Sequence, residues 1–209
     1  MHDNAPEARQ GRHGPVEASG CPRGIGYSPA VGAARVFVIA GQLAAGKSTV
    51  ARAVLDRFDF GFLVDVDAVR EMVTSGLASP LEWTAETTRQ FDLALRASVT
   101  LAGVYHDAGF AVAIEGGIDP GAIARMLREA GLQDQLVGVV LHPPLEVALD
   151  RNRQRLTKAF ETSILEGAMR QIDADLASEP LPHGWLRLDN GAESIEITVE
   201  RVLSASAGR

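Results

Sequence analysis

Val36-Phe37-Val38-Ile39-Ala40-Gly41-Gln42-Leu43-Ala44-Ala45-Gly46-Lys47-Ser48-Thr49 is the stretch on which the reading of this chain turns. Its first five residues are an unbroken β-branched and aromatic run, which predicts a central strand buried on both faces. The next eight fit GxxxxGK[ST] at every fixed position, and Ser48 to Leu55 then carries apolar residues at helical spacing. Strand, glycine-bearing loop and helix in that order form a phosphate cradle. The glycines let successive backbone N–H groups point inward, and the helix start adds unsatisfied N–H groups at a positive dipole end. Gly41, Gln42, Leu43, Ala44, Ala45, Gly46 and Thr49 are therefore expected around the phosphates of ATP. Lys47 is expected to reach the β and γ phosphates, and the Ser48 hydroxyl to ligate Mg²⁺.

Outward from this loop, strand and helix patterns alternate. Strands are predicted over residues 60–66, 110–114, 136–141 and 185–188. Helices are predicted from Ala68, through 81–106, from Asp119-Pro120 to Gly131, from Pro144, within 163–176, and over 194–203. The expected fold is therefore α/β: a P-loop domain with a five-stranded parallel sheet and helices on both faces, occupying residues 34–209. Residues 1–33 are rich in Gly, Pro, Ala and His without periodicity and read as a disordered tail. In parallel sheets the ligand sits beyond the carboxyl ends of the strands. Attention therefore falls on the loops after Ala40, Val66, Ile114 and Leu141.

Two of these loops carry acids. Asp65-Val66-Asp67-Ala68-Val69-Arg70 follows the second strand, and alternation along an extended segment sends Asp65 and Asp67 to one side. Two readings stand for Asp67: a helix cap, or the carboxylate that accepts a substrate hydroxyl proton, with Asp65 ordering it or the metal water. Arg70 either holds an anionic substrate or faces solvent. Glu115, at the tip of the third strand before Gly116-Gly117, is either a solvated strand-end acid or a Mg²⁺ partner acting through water.

Arg151, Arg153 and Arg155 end the helix after the fourth strand. They either complement its dipole or belong to a lid that closes over the nucleotide, with Arg151 and Arg155 on one face. Trp83, Arg89 and Phe91 lie in the segment expected to wall an acceptor pocket, though core packing is the preferred reading for the two aromatics. His106, His142 and His183 have no metal-ligand spacing and are assigned no role.

Composition narrows the options. The net charge of −7 argues against nucleic acid as partner, because phosphate backbones call for a basic surface. No apolar stretch approaches the roughly 18–20 residues of a membrane helix, and the N-terminus lacks the layout of a secretory signal. The single cysteine, Cys21, excludes an internal disulfide framework. A cytoplasmic protein is expected.

Residues 36–49, the Asp65/Asp67/Arg70 set, Glu115 and the late arginines together resemble the P-loop small-molecule kinases (AAA_33-like) and the polynucleotide 5′-hydroxyl kinases. Chloramphenicol phosphotransferase is similar, with its catalytic acid where Asp67 falls. A closer likeness is to the tunicamycin-resistance ATP-binding proteins. It extends through Arg89-Gln90-Phe91, residues 146–155, Gln171-Ile172-Asp173 and Asp189-Asn190, so that it spans residues 35–203. The resemblance implies an ATP- and Mg²⁺-dependent phosphotransferase acting on a small-molecule hydroxyl, with a role in antibiotic resistance. Lys47, Asp67, Arg151 and Arg155 would be catalytic, Ser48 and Glu115 would hold the metal, and Asp65, Arg70 and Arg89 would bind substrate. The alternative is a non-catalytic, ATP-binding resistance or regulatory protein.

Overall fold

A computed structural model of the protein describes residues 35–154 and 165–207. The tail expected over residues 1–33, Cys21 within it, and Arg155 lie outside the described residues. Five strands form one parallel sheet: β1 (Val36–Gly41), β2 (Gly61–Asp65), β3 (Ala111–Glu115), β4 (Leu136–Leu141) and β5 (Leu186–Leu188), in the order β2-β3-β1-β4-β5. Among the described residues the α-helices are α1 (Lys47–Leu55), α2 (Val66–Glu71), α3 (Ala85–Asp107), α4 (Pro120–Glu129), α5 (Leu145–Arg153), α6 (Glu166–Ser178) and α7 (Ile195–Ala207).

The period-2 pleat of β1 explains why its apolar run is unbroken. Val36, Val38 and Ala40 enter one core with Ala94, Leu95 and Val99 of α3 and Ile123 and Leu127 of α4. Phe37 and Ile39 enter the opposite core with Val50, Ala51 and Val54 of α1 and Val199 and Val202 of α7. A strand with helices on both sides has no polar face to display. Gly138 at the middle of β4 leaves room for Trp185, since a Cβ there would lie 2.1 Å from the indole ring.

The loops that matter leave the same edge of this sheet. Register places Ile39 beside Glu115 and Asp65 beside Glu115, so the ends of β1, β3 and β2 form one shelf. Asp119 caps α4 by accepting from Ala122 N at 2.9 Å, with Pro120 in the first turn, as its sequence predicts. Among the described residues, no helix is long and apolar enough to cross a membrane.

Candidate functional site

The loop after β1 is tightly tethered at its start. Gly41 has φ +130°, and a Cβ there would lie 2.1 Å from the carbonyl oxygen of Leu141. Only glycine fits so close to β4, where Gln42 N also donates to Leu141 O at 3.1 Å. Ala44 takes a left-handed conformation at φ 60°, which costs a non-glycine residue about 1–3 kcal/mol. Packing of Ala44 against Ala148, Leu149 and Met169 offsets that strain. Gly46, also left-handed, stands at the N-cap of α1 and gives it no side-chain cap. The helix start is thus left for an outside acceptor. Lys47 Nζ folds back over the loop, donating to Gln42 O at 3.0 Å and Gly41 O at 3.3 Å.

Glu115 sits beside this loop and is only 3 % exposed. Burial raises its pKa above the ordinary carboxylate value, a hydrogen bond with Ser48 opposes the rise, and the nearby Asp65 and Asp67 charges add to it while Lys47 counters them. Ser48 and Glu115 were expected to share a metal, and the fold brings them into contact. Three carboxylates within one another's field, the buried one bonded to the hydroxyl of exposed Ser48, form an electrostatic arrangement that a hard divalent cation would relieve. Among the described residues, no three His, Cys, Asp or Glu side chains converge as a protein-only metal cage. A site completed by water and phosphate oxygens, as Mg²⁺ prefers, fits these residues.

The two aspartates separate in role. β2 ends at Asp65 and α2 begins at Val66, so Asp65 and Asp67 do not share one extended segment as alternation suggested. Asp65 is the cap: its Oδ1 accepts from Asp67 N at 2.9 Å and from Ala68 N at 3.1 Å. Asp67 is therefore not the cap. It stands exposed in the first turn, close enough to Glu115 to act on its ionisation.

On another side of the loop lies a cavity of about 220 Å³ lined by Ala45, Gly46, Thr49, Arg151, Asn190 and Ile195, among others. Arg151 Nη2 donates to the carbonyls of Asn190 (3.0 Å) and Gly191 (3.2 Å), and Asn190 Nδ2 donates to Ala45 O at 2.8 Å. Arg151 is thus a wall of this cavity, tied to the loop between β5 and α7, rather than a free lid residue. Asn190 is a functional candidate that motif reading did not single out.

Gln42, wholly buried, donates from Nε2 to Asp173 Oδ1 at 3.3 Å, while its Oε1 has no hydrogen-bond partner among the described residues. The same Asp173 oxygen lies 2.8 Å from His142 Nε2. His142, assigned no role from sequence, therefore ties the end of β4 to the same α6 carboxylate that Gln42 of the phosphate loop holds.

A family model described as an AAA domain, AAA_33, matches residues 36–177, from the start of β1 into α6. The chain belongs to the AAA_33 family. No curated protein sequence matches it. Among solved structures, this AAA_33 chain is similar to a sugar kinase from Janibacter sp. HTCC2649, with a TM-score of 0.60, 22% identity, and 82% of this chain and 93% of that one covered. It is also similar to the Deinococcus radiodurans tunicamycin resistance protein, with a TM-score of 0.58, 15% identity, and coverage of 82% and 94%. A third is the Mycobacterium tuberculosis APS kinase in complex with AMPPNP and APS, with a TM-score of 0.54, 20% identity, and coverage of 82% and 96%. At these identities the likeness is one of fold.

The remaining candidates of this AAA_33 domain are placed differently from expectation. Arg70 is neither solvent-facing nor open to an anion: it is 5 % exposed, donates to Ala78 O at 2.9 Å and lies 4.7 Å over the Phe91 ring. Arg89 forms a two-pronged pair with Glu86, both bonds 2.8 Å, on the exposed side of α3. Hydrogen bonds from Arg89 and then Gln90 hold Glu86 down to about 2. Arg153 pairs with Glu166 and Asp150. Trp83 is not a core residue. It is 66 % exposed and stacks on Phe91 with ring centroids 5.2 Å apart.

Proposed function

We propose that the protein is an ATP- and Mg²⁺-dependent phosphotransferase that moves the γ-phosphoryl group to a hydroxyl of a small molecule. The observation that carries this reading is the hydrogen bond between exposed Ser48 and buried Glu115 at the phosphate loop, beside Lys47 and within the field of Asp67. A loop built only to hold phosphates has no need of an exposed acid at that point; transfer to an alcohol does.

Lys47, released from its own loop carbonyls, turns to the β and γ phosphates, and the amides of Gly41 to Thr49 hold the rest of the anion. Ser48 and Glu115 hold Mg²⁺, which when bound offsets charge on the phosphate oxygens. The cavity between Arg151 and Asn190 takes the base end of the nucleotide, because it opens directly on the loop and has one fixed guanidinium for a planar ring to lie against. In the transfer, the acceptor oxygen bonds to the γ-phosphorus, the bond from that phosphorus to the bridging oxygen breaks, and Asp67 takes the acceptor proton. Arg155 supplies positive charge from the segment beyond α5. The solved structures named as kinases support the reaction class, and the APS kinase bound to AMPPNP supports nucleotide use. Resistance to an antibiotic is a narrower reading, supported only by the fold shared with the tunicamycin resistance protein.

Screening hydroxyl compounds for stimulated ADP release, with mass spectrometry of the acceptor, tests the proposal. The expected result is a product heavier by one phosphoryl group. ADP release with every compound recovered unmodified, or tight nucleotide binding without turnover, would overturn it.

A further inference from the structure

Polar side chains buried on α2 and α3 pin the backbone of the connection between them, whose large apolar side chains lie at the surface. Beneath it, Arg70 donates to Ala78 O at 2.9 Å. Gln90 Nε2 donates to Gly76 O at 2.8 Å, and Gln90 Oε1 accepts from Ala78 N at 2.9 Å. Thr87 Oγ1 reaches the carbonyls of Ser79 and Glu82, and Thr87, Gln90 and Arg70 are all buried. Above it, Met72 is 72 % exposed and Leu81 56 %, with Leu77 and Trp83 exposed as well. A loop pinned at so many points is a fixed surface, and its apolar side chains are held outward.

Trp83 is the best-defined part of that surface. Its Nε1 donates to Thr88 Oγ1 at 2.9 Å, and its ring lies within 15° of parallel to Phe91. Phe91 in turn lies under the guanidinium of Arg70, one turn along α2 from Asp67. A run of contacts thus leads from Arg70, one turn beyond the proposed proton acceptor, to an indole with most of its surface in solvent. The charges on this side are equally telling. Asp65, Asp67 and Glu115 are acids, whereas Arg70 is committed to Ala78 and Phe91, and Arg89 to Glu86. An anionic acceptor would meet carboxylates, with Arg70 buried beneath the loop and Arg89 paired to Glu86.

We infer that the acceptor is an uncharged hydroxyl compound bearing a planar apolar group, which stacks on Trp83 over the 72–83 loop while its hydroxyl reaches Asp67. This inference rests on the phosphotransferase reading, and the test separates the two. Four probes vary ring and charge independently: p-nitrophenyl β-glucoside, p-nitrophenyl β-glucuronide, methyl β-glucoside and methyl β-glucuronide. Their Kd values are measured by calorimetry, with ADP and Mg²⁺ present.

The p-nitrophenyl glucoside should bind at least about tenfold tighter than either glucuronide and than the methyl glucoside, the scale of one buried aromatic stack. Trp83→Ala should remove the preference for the p-nitrophenyl over the methyl glucoside, and Trp83→Phe should keep most of it. Equal or tighter binding of the glucuronides, no advantage for the ring, an unchanged Kd in Trp83→Ala, or no binding of any of the four would overturn the inference. A concentration-dependent dimer that Trp83→Ala abolishes would overturn it too, in favour of a second copy on this surface. Ring-dependent binding without ADP release in the ATP reaction would leave the surface assigned and refute phosphoryl transfer instead.

Discussion

Replacing Asp65 and Asp67 one at a time distinguishes a helix cap from a proton acceptor. Asp65 accepts from two backbone N–H groups, Asp67 at 2.9 Å and Ala68 at 3.1 Å, and among the described residues no other side chain satisfies them. Loss of an N-cap costs about 0.5–2 kcal/mol, and two bonds to a carboxylate at the positive end of a helix argue for the upper half of that range. Asp65→Ala should therefore lower stability by about 1–2 kcal/mol, a Tm drop of roughly 2–8 °C for a domain of this size. Asparagine caps about as well as aspartate, and Asp65→Asn also removes a charge that presses on Glu115, so its stability should stay within about 0.5 kcal/mol of wild type. Asp67 is exposed and is not the cap of α2, and asparagine keeps its size and hydrogen-bonding oxygen, so Asp67→Asn should be equally benign for folding. Its effect should fall on turnover, with a loss of about 10²–10⁴-fold, while Asp65→Asn stays within roughly tenfold of wild type. Urea titration by circular dichroism and acceptor-stimulated ADP release report the two quantities on the same preparations. Turnover lost in Asp65→Asn and kept in Asp67→Asn would refute the assignment.

Glu115→Gln should stabilise the ligand-free protein at pH 7 by about 0.5–2 kcal/mol while weakening Mg²⁺-dependent nucleotide binding. The folded pKa of Glu115 is raised, so the stability it contributes is full below the unfolded value near 4.5 and is lost as pH rises through the folded value; the advantage of the variant should vanish in melts near the lower limit. Asn190→Ala removes the 2.8 Å bond to Ala45 O and should weaken ATP binding about 3- to 10-fold, measured by calorimetry, with Asn190→Asp weakening it further by bringing a carboxylate next to the phosphates. Asp173→Ala leaves the Gln42 amide buried without its acceptor and should cost about 1–3 kcal/mol. In a Gln42→Leu background most of that cost should disappear, and a double-mutant cycle on urea midpoints reads the difference.

How much of this was legible in the sequence follows from range. β1, the phosphate loop and α1 were legible because one local stretch encodes the buried strand, the left-handed glycines and the helix start together. Glu115 was legible because a parallel register needs only strand ends to bring it to the loop. The aspartates were misplaced by a small local error: β2 hands over to α2 at Val66, and that shift moves the cap from Asp67 to Asp65. The directions of Arg70 and Arg89 on their helices were not readable, because burial beneath a 72–84 loop decides one and a local Glu86 decides the other. Arg151 to Asn190 and Asn190 to Ala45 span 39 and 145 residues, and Gln42 to Asp173 spans 131. Such contacts depend on the order of β1, β4 and β5 in the sheet, which no local pattern carries.

Calorimetric titration of the protein with ATP and Mg²⁺, beside Lys47→Ala, bears most directly on the whole account. With the loop amides and Lys47 gripping the phosphates, wild type should bind saturably and the variant should lose about 10- to 100-fold in affinity, the scale of one or two charge-assisted hydrogen bonds. No saturable binding by wild type, or equal affinity in the two proteins, would contradict it.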